Sequence, residues 1–197
     1  MGLRRAGRKA RKHNDIINSA HFSRDERLVV TASQDELAKV WDINSGAMVP
    51  LQKRTTALFS AEFSPRDDNL VVTGGQDHAV TLWDVHLKNS RVLGMHTAEV
   101  RQAAFDREGE RVVSASVDGT AKVWDVRNPA QTLLVTLTGH QGALTGAGFS
   151  PAGDRVVTAS LDGTARVWRP ENPPGGYSHE EKLHYLKQMV EKSRLPR

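Results

Sequence analysis

The chain has no cysteine, which excludes a disulfide framework, a thiolate-bound zinc and a thiol nucleophile, and suits a reducing compartment. No apolar run approaches the roughly 18 residues of a membrane helix. The N-terminus, MGLRRAGRKARK, carries charge with no apolar segment behind it for a signal peptide. The expectation is a cytoplasmic protein, or a nuclear one in a eukaryote. Gly2 invites a lipid anchor, but Ala6 stands where a myristoylation motif needs a hydroxyl. Aromatics are sparse, 6% of 197 residues, beside 38% hydrophobic and 25% charged residues, and that balance allows one ordinary globular core.

Charge is unevenly placed. Of the net +4, Arg4, Arg5, Arg8, Lys9, Arg11 and Lys12 supply six positive charges within residues 1–12, which leaves the rest of the chain slightly acidic. With only Met1 and Leu3 as large apolar residues, too few to fold around, 1–12 is expected to be a disordered basic arm. It could bind nucleic-acid phosphates, serve as a nuclear address or contact an acidic protein. No aromatic is interleaved for base stacking, so a solvated tail is the plain alternative.

The main signal is internal repetition. Trp41, Trp83, Trp124 and Trp168 recur at intervals of 42, 41 and 44 residues, each six positions after an aspartate: Asp35, Asp77, Asp118 and Asp162. Phe22, Phe105 and Phe149 stand thirteen residues before their aspartates, and Phe63 fourteen, because SPRDDN adds one turn residue. Nine residues before each phenylalanine come His13, Arg54, His96 and His140, followed four residues later by Ile17, Leu58, Val100 and Leu144. Four copies in one register are not chance. Within each copy, runs such as RVVSAS and TAKVWDV alternate on a period of two around a tight turn, so the unit reads as strand, turn, strand. A third strand leads into the phenylalanine, and QTLLVTL or SRVLG supplies a fourth. A four-stranded antiparallel sheet every 40 to 45 residues is about the period of a propeller blade.

Gly139-His140, Phe149 to Pro151, SASVDGTAKVWD at 114–125 and TASLDGTARVW at 158–168 resemble the WD-repeat family over roughly residues 13 to 169. The resemblance implies an all-β fold of four β-propeller blades, at about 13–52, 53–94, 95–138 and 139–170, serving as a platform for other proteins. A blade cannot bury both faces of its sheet alone, so blades must stack.

His96, Ser114 and Asp118 also have the residue types of an acyl-transfer triad. The set recurs, however, as His13, Thr31, Asp35 and as His140, Thr158, Asp162, each with its tryptophan. An active site is needed once, and a structural network in every blade. By the resemblance, Asp accepts from His, His engages the hydroxyl, and the hydroxyl reaches the indole N–H of Trp41, Trp124 or Trp168. Each bond nets about 0.5 to 1.5 kcal/mol, and a buried orphan partner costs about 1 to 3. The second unit keeps Thr73, Asp77 and Trp83 but has Arg54 for histidine and Gly75 for serine. It is expected to be the weakest blade. No phosphate loop stands in strand-to-helix context, and Glu180 with His184 gives two metal ligands without a third, so no catalytic residue, cofactor or metal is expected.

Rings of this family usually have about seven blades, whereas this chain has four repeats. After Trp168 the prolines of RPENPPGGY cannot serve an interior strand, so the last blade is expected to lack its outer strand, leaving about fifteen strands in an open or partial propeller. Two chains could pair, another protein could complete the ring, or the sequence could be the end of a longer protein. Residues 171–197 read as a Pro-Pro-Gly-Gly hinge and a short C-terminal α-helix, with Ser178 and Glu181 as capping box and Leu183, Leu186, Met189 and Val190 as its apolar stripe.

The leading expectation for function is a non-catalytic protein-binding scaffold within a complex or a longer protein. The resemblance puts the residue before each structural aspartate on the binding face: Gln34, Gln76, Val117 and Leu161. Asn14, Thr55, Thr97 and Gln141, which follow the histidine position, join them, with Glu99. The alternative is a nucleic-acid-associated protein that uses the basic arm.

Overall fold

Fifteen strands and no helix make up residues 13–51 and 56–170, the parts of the chain that the structure, a computed structural model, describes. The basic arm, Arg54, Thr55, the hinge and the expected C-terminal helix lie outside them.

Alternating sequence becomes sequential antiparallel meanders. The first sheet holds β1 (Ile17–Phe22), β2 (Leu28–Ser33), β3 (Ala38–Asp42) and β4 (Met48–Pro50). The second holds β5 (Leu58–Phe63), β6 (Leu70–Gly75), β7 (Ala79–Asp84) and β8 (Asn89–Met95). The third holds β9 (Val100–Phe105), β10 (Arg111–Ser116), β11 (Ala121–Asp125) and β12 (Leu133–Leu137). The fourth has three strands among the described residues, β13 (Leu144–Phe149), β14 (Val156–Ser160) and β15 (Ala165–Trp168).

Register sorts the side chains onto two faces. In the third sheet Val112 pairs with Phe105 on one side and Trp124 on the other, while Val113 pairs with Ala104 and Val123 on the opposite face. The β2–β3 type of hairpin turns through a left-handed residue just after each aspartate: Glu36 (φ 70°), His78 (φ 67°), Gly119 (φ 81°) and Gly163 (φ 80°).

Hydrophobic cores lie between consecutive sheets. Val30, Ala32, Ala38 and Val40 of the first meet Leu58, Ala61, Phe63, Val71 and Trp83 of the second. Val72, Val80 and Leu82 of the second meet Val100, Ala103, Phe105, Val112 and Trp124 of the third. Ala104, Val113, Ala115, Ala121 and Val123 of the third meet Leu144, Ala147 and Val156 of the fourth, with Phe149 and Trp168 packed beside them. One rule describes all three: the tryptophan face of each sheet covers the valine-alanine face of the sheet before it.

Burial therefore does not make the second sheet the weak one. Trp83 and Trp124 are each 2% exposed, whereas Trp41 and Trp168 are only half-buried. Among the described residues no sheet precedes the face that carries Trp41, and the sheet that carries Trp168 has three strands.

Trp124 is seated against bare backbone. A Cβ built on Gly94 of β8 would collide with the Trp124 ring, whereas one on Gly148 would meet nothing within 4 Å. Gly94→Ala is therefore expected to lower stability by about 1 to 3 kcal/mol. Gly148→Ala should be neutral or stabilise by up to about 1 kcal/mol through the unfolded chain. Urea denaturation of both variants checks this, and equal losses would show that Trp124 does not depend on the missing side chain.

Candidate functional site

Each first strand begins with a register shift, between Ile17 and Ser19, between Leu58 and Ser60, and between Leu144 and Gly146, with the matching shift in β9 falling where Ser116 pairs with Val100. The bulge re-aims the strand entry so that the preceding loop folds over the hairpin carrying the aspartate. Histidine, hydroxyl, aspartate and tryptophan, distant in sequence, meet there.

In the third sheet His96 Nδ1 lies 2.9 Å from Asp118 Oδ2, His96 Nε2 lies 2.8 Å from Ser114 Oγ, and the Trp124 indole N–H donates to that Oγ at 2.8 Å. The fourth sheet repeats this with His140, Asp162, Thr158 and Trp168, each contact at 2.8 Å. The first repeats it with His13, Asp35, Thr31 and Trp41 at 2.9, 2.7 and 2.9 Å. In the second sheet the Trp83 indole N–H donates to Thr73 Oγ1 at 2.8 Å, and the Ala79 N–H donates to Asp77 Oδ1 at 3.2 Å.

The proton positions follow from what each atom can do. An indole N–H only donates, so the hydroxyl oxygen accepts from it. The hydroxyl proton then goes to His96 Nε2 at 2.8 Å in preference to the Lys122 carbonyl at 3.5 Å. His96 Nε2 is thus the bare nitrogen, and Nδ1–H donates to Asp118. Burial pushes the His96 ring below its ordinary range against the pull of Asp118, which agrees with a neutral imidazole.

The carboxylates are held ionised. Burial alone would raise Asp35, but the Asn14 N–H, His13 and Lys39 outweigh it and set its pKa at about 2. Burial opposes ionisation of Asp118 too, yet the Thr120 hydroxyl and the Thr97 N–H hold it well below the usual carboxylate range. For Asp162 the Thr164 hydroxyl comes first and the Gln141 N–H second, in the same direction.

A second clamp fixes the loop. Ser33, Ser116 and Ser160 accept from the N–H of their aspartates at 3.0 to 3.1 Å. Their hydroxyls donate to the carbonyls of Asp15, Ala98 and Gly142. Gly75 has no hydroxyl, and a Cβ there would stand 2.7 Å from the Ala57 carbonyl, so that loop lies against backbone.

Further bonds fix the backbone of the residues expected on a binding face. Asn14, Thr97 and Gln141 each donate a backbone N–H to the aspartate, and Gln34, Gln76, Val117 and Leu161 donate theirs to Ile16, Ala57, Glu99 and Ala143. The side chains of Asn14, Gln34, Gln76, Thr97, Gln141 and Leu161 are exposed, and Val117 and Glu99 are half-buried. The sequence reading missed three neighbours. Ile16 is exposed, and Arg101 stacks over Phe59 of the sheet before it, 4.4 Å from the ring centroid, while pairing with Glu99 at 2.7 Å. Phe59 and Arg101 sit in the bulges, where the period of two that guided the reading breaks. Among the described residues no three His, Asp or Glu side chains converge on a metal position.

A sequential meander clamped by a tryptophan, a hydroxyl, a histidine and an aspartate defines a WD-type repeat protein. The WD40 family model (WD domain, G-beta repeat) matches residues 8–42, 51–84, 87–125 and 131–169, and the chain belongs to that family. It is 33% identical over 120 residues to Jouberin of Rattus norvegicus and 28% identical over 120 residues to Jouberin of Mus musculus, in each case over 57% of this chain and 12% of the relative. It is also 28% identical over 130 residues to the U5 small nuclear ribonucleoprotein 40 kDa protein of Dictyostelium discoideum, over 66% of this chain and 36% of that protein. The chain thus spans a minor part of each of these relatives.

The network makes stability depend on acid in a definite sense. His96 has a lowered folded pKa, so as pH falls through 6.5 the unfolded ring takes up a proton that the folded one resists, and stability declines. The carboxylates add to the loss lower down, Asp35 between 3.8 and about 2. Urea midpoints from about pH 8 to about pH 3 should fall in two stages. A flat profile between neutrality and about pH 5 would contradict a neutral His96.

Proposed function

We propose that the chain is a non-catalytic protein-interaction scaffold, acting within a larger complex or as part of a longer multidomain protein, and that a peptide or protein segment binds at the loop end carrying Asn14, Gln34, Gln76, Thr97, Glu99, Val117, Gln141 and Leu161. The observation that carries this reading is the division of labour in those loops. Their backbone N–H groups are tied to aspartates and carbonyls while their side chains stay exposed. A partner would meet a preorganised surface and lose little loop entropy on binding. That surface is polar in the first two blades and apolar at Val117 and Leu161, which suits an amphipathic segment.

Accessibility speaks against catalysis. Ser114 is fully buried, and its oxygen already accepts the Trp124 N–H while its proton faces His96. A nucleophile needs room for a carbonyl carbon beside its oxygen, and this hydroxyl has none. The same holds for Thr158, 1% exposed. No cysteine stands anywhere in the 197 residues, and we place the protein in the cytoplasm or the nucleus.

A second reading has one specific support, six cations at residues 4–12 in a chain similar to a protein named as a ribonucleoprotein component. Here the arm would bind RNA or DNA phosphates.

One set of measurements separates the two. Pull-down from native extract, read by mass spectrometry, should recover a partner with wild type and with Arg107→Ala, which lies in an exposed turn of the third blade distant from these loops. The partner should be lost with Leu161→Glu combined with Thr97→Ala. Retention by the face variant would refute the scaffold surface. If the arm binds nucleic acid by neutralising about four to six phosphates, log affinity should fall with log salt at a slope of roughly −4 to −5. Ester and peptide hydrolysis should not differ between wild type and Ser114→Ala.

A further inference from the structure

The two ends of the array are unequal, and each matches the other. In every internal junction a tryptophan face seats on a valine-alanine face. The first blade carries a tryptophan face that seats on no sheet among the described residues: Phe22 is 66% exposed where Phe63 is 4% and Phe105 is 7%, and Ile17 is 51% exposed where Leu58, Val100 and Leu144 are buried. The last blade carries a valine-alanine face that no sheet among the described residues covers: Val167 is 66% exposed where Val40, Leu82 and Val123 are 3%, 6% and 1%. Beside it Val157, Ala159 and Ala165 are exposed, at positions held by buried Val30, Ala32 and Ala38 in the first blade and by Val113, Ala115 and Ala121 in the third.

We propose that these two faces bind each other between copies of the chain, so that two molecules join head to tail into a closed eight-bladed ring. The occupant of each open face is specified by the molecule itself, because three junctions inside the chain display the fit. The interface is heterologous, Phe22, Ile17 and Trp41 of one copy against Val157 and Val167 of the other, and such interfaces end only in a ring or a filament. A pair is the smallest closed set with no open face. Three copies would make about twelve blades, beyond the roughly four to eight of known propellers.

The junction between copies is weaker than those within a chain. Internally the Ala61 and Ala103 N–H groups donate to Ser19 and Ser60 Oγ at 3.0 Å, and the Ala147 N–H donates to Gln102 Oε1 at 3.2 Å. The corresponding residue of the fourth blade is Gly146, which offers the Ala20 N–H of the second copy no side-chain acceptor. The pair should therefore dissociate on dilution while the blades stay folded.

The test uses the full chain and two variants, Phe22→Lys and Val167→Glu, at positions exposed in the monomer and so tolerant of charge. Light scattering with size-exclusion chromatography should give wild type a mass twice 21.7 kDa at high concentration and each variant the single mass, with unchanged circular dichroism. Mixing the two variants should restore the double mass, because the ring then holds one wild-type junction and one that places opposite charges face to face. A wild type that stays monomeric overturns the proposal. So does loss of pairing in only one of the variants, which indicates a face binding its own kind, and so does a mass that climbs past the pair with concentration.

Discussion

The fold turns on a hydroxyl of the second strand that receives an indole N–H in each blade and, in the first, third and fourth blades, is wedged against an imidazole nitrogen as well. Thr31, Ser114 and Thr158 each hold that position at 2.7 to 2.9 Å from both partners. The indole N–H can only donate, so the hydroxyl accepts from it and passes its own proton to the imidazole, which sets the direction of the chain of bonds from tryptophan to aspartate. Removing it would leave a donor and an acceptor unpaired in a dry site, at a cost of about 1 to 3 kcal/mol each. The tryptophan it orients belongs to the third strand and the histidine to the loop before the first. One atom thus ties together segments that the hairpins alone would leave independent.

That tie has a second effect, on the packing between blades. An oriented indole presents a flat apolar surface to the sheet before it, and that sheet answers with small residues. Ala32, Ala115 and Ala121 are fully buried, and Gly94 leaves space that the Trp124 ring fills. Polar bonding within a blade and apolar burial between blades are therefore coupled through the same side chain. The second blade keeps the Thr73–Trp83 half of the network, and keeps Trp83 as deeply buried as Trp124, although Gly75 removes its serine clamp.

Much of this was legible in the chain. The fixed offsets from Phe63, Asp118 or Trp124 to their counterparts carry the strand count and the sheet order, because each repeat is one local meander with short turns. What escaped was anything that depends on a neighbouring blade. Phe59 and Arg101 stack across a junction from bulge positions, and a bulge breaks the alternation on which strand reading rests. The relative burial of the four tryptophans escaped for the same reason: Trp41 and Trp168 look in sequence like Trp83 and Trp124, yet among the described residues they lie in the first and last blades and are half-buried.

Because each junction sets unlike faces together, the array has a direction, as a stack of identical symmetric plates would not. A directional stack presents two different surfaces at its two ends. In a repeat protein, where each unit contacts only its neighbours, stability is highest in the middle and falls toward both ends. Here the first strand is almost wholly exposed, while the corresponding strands β5 and β9 are largely buried. The loops that hold the candidate binding residues are insulated from that gradient, since their clamps lie within a blade, as in the His13–Asp35 bond of the end blade. The surface can stay organised even where the packing behind it is incomplete, which is what allows a short run of blades to present a defined face.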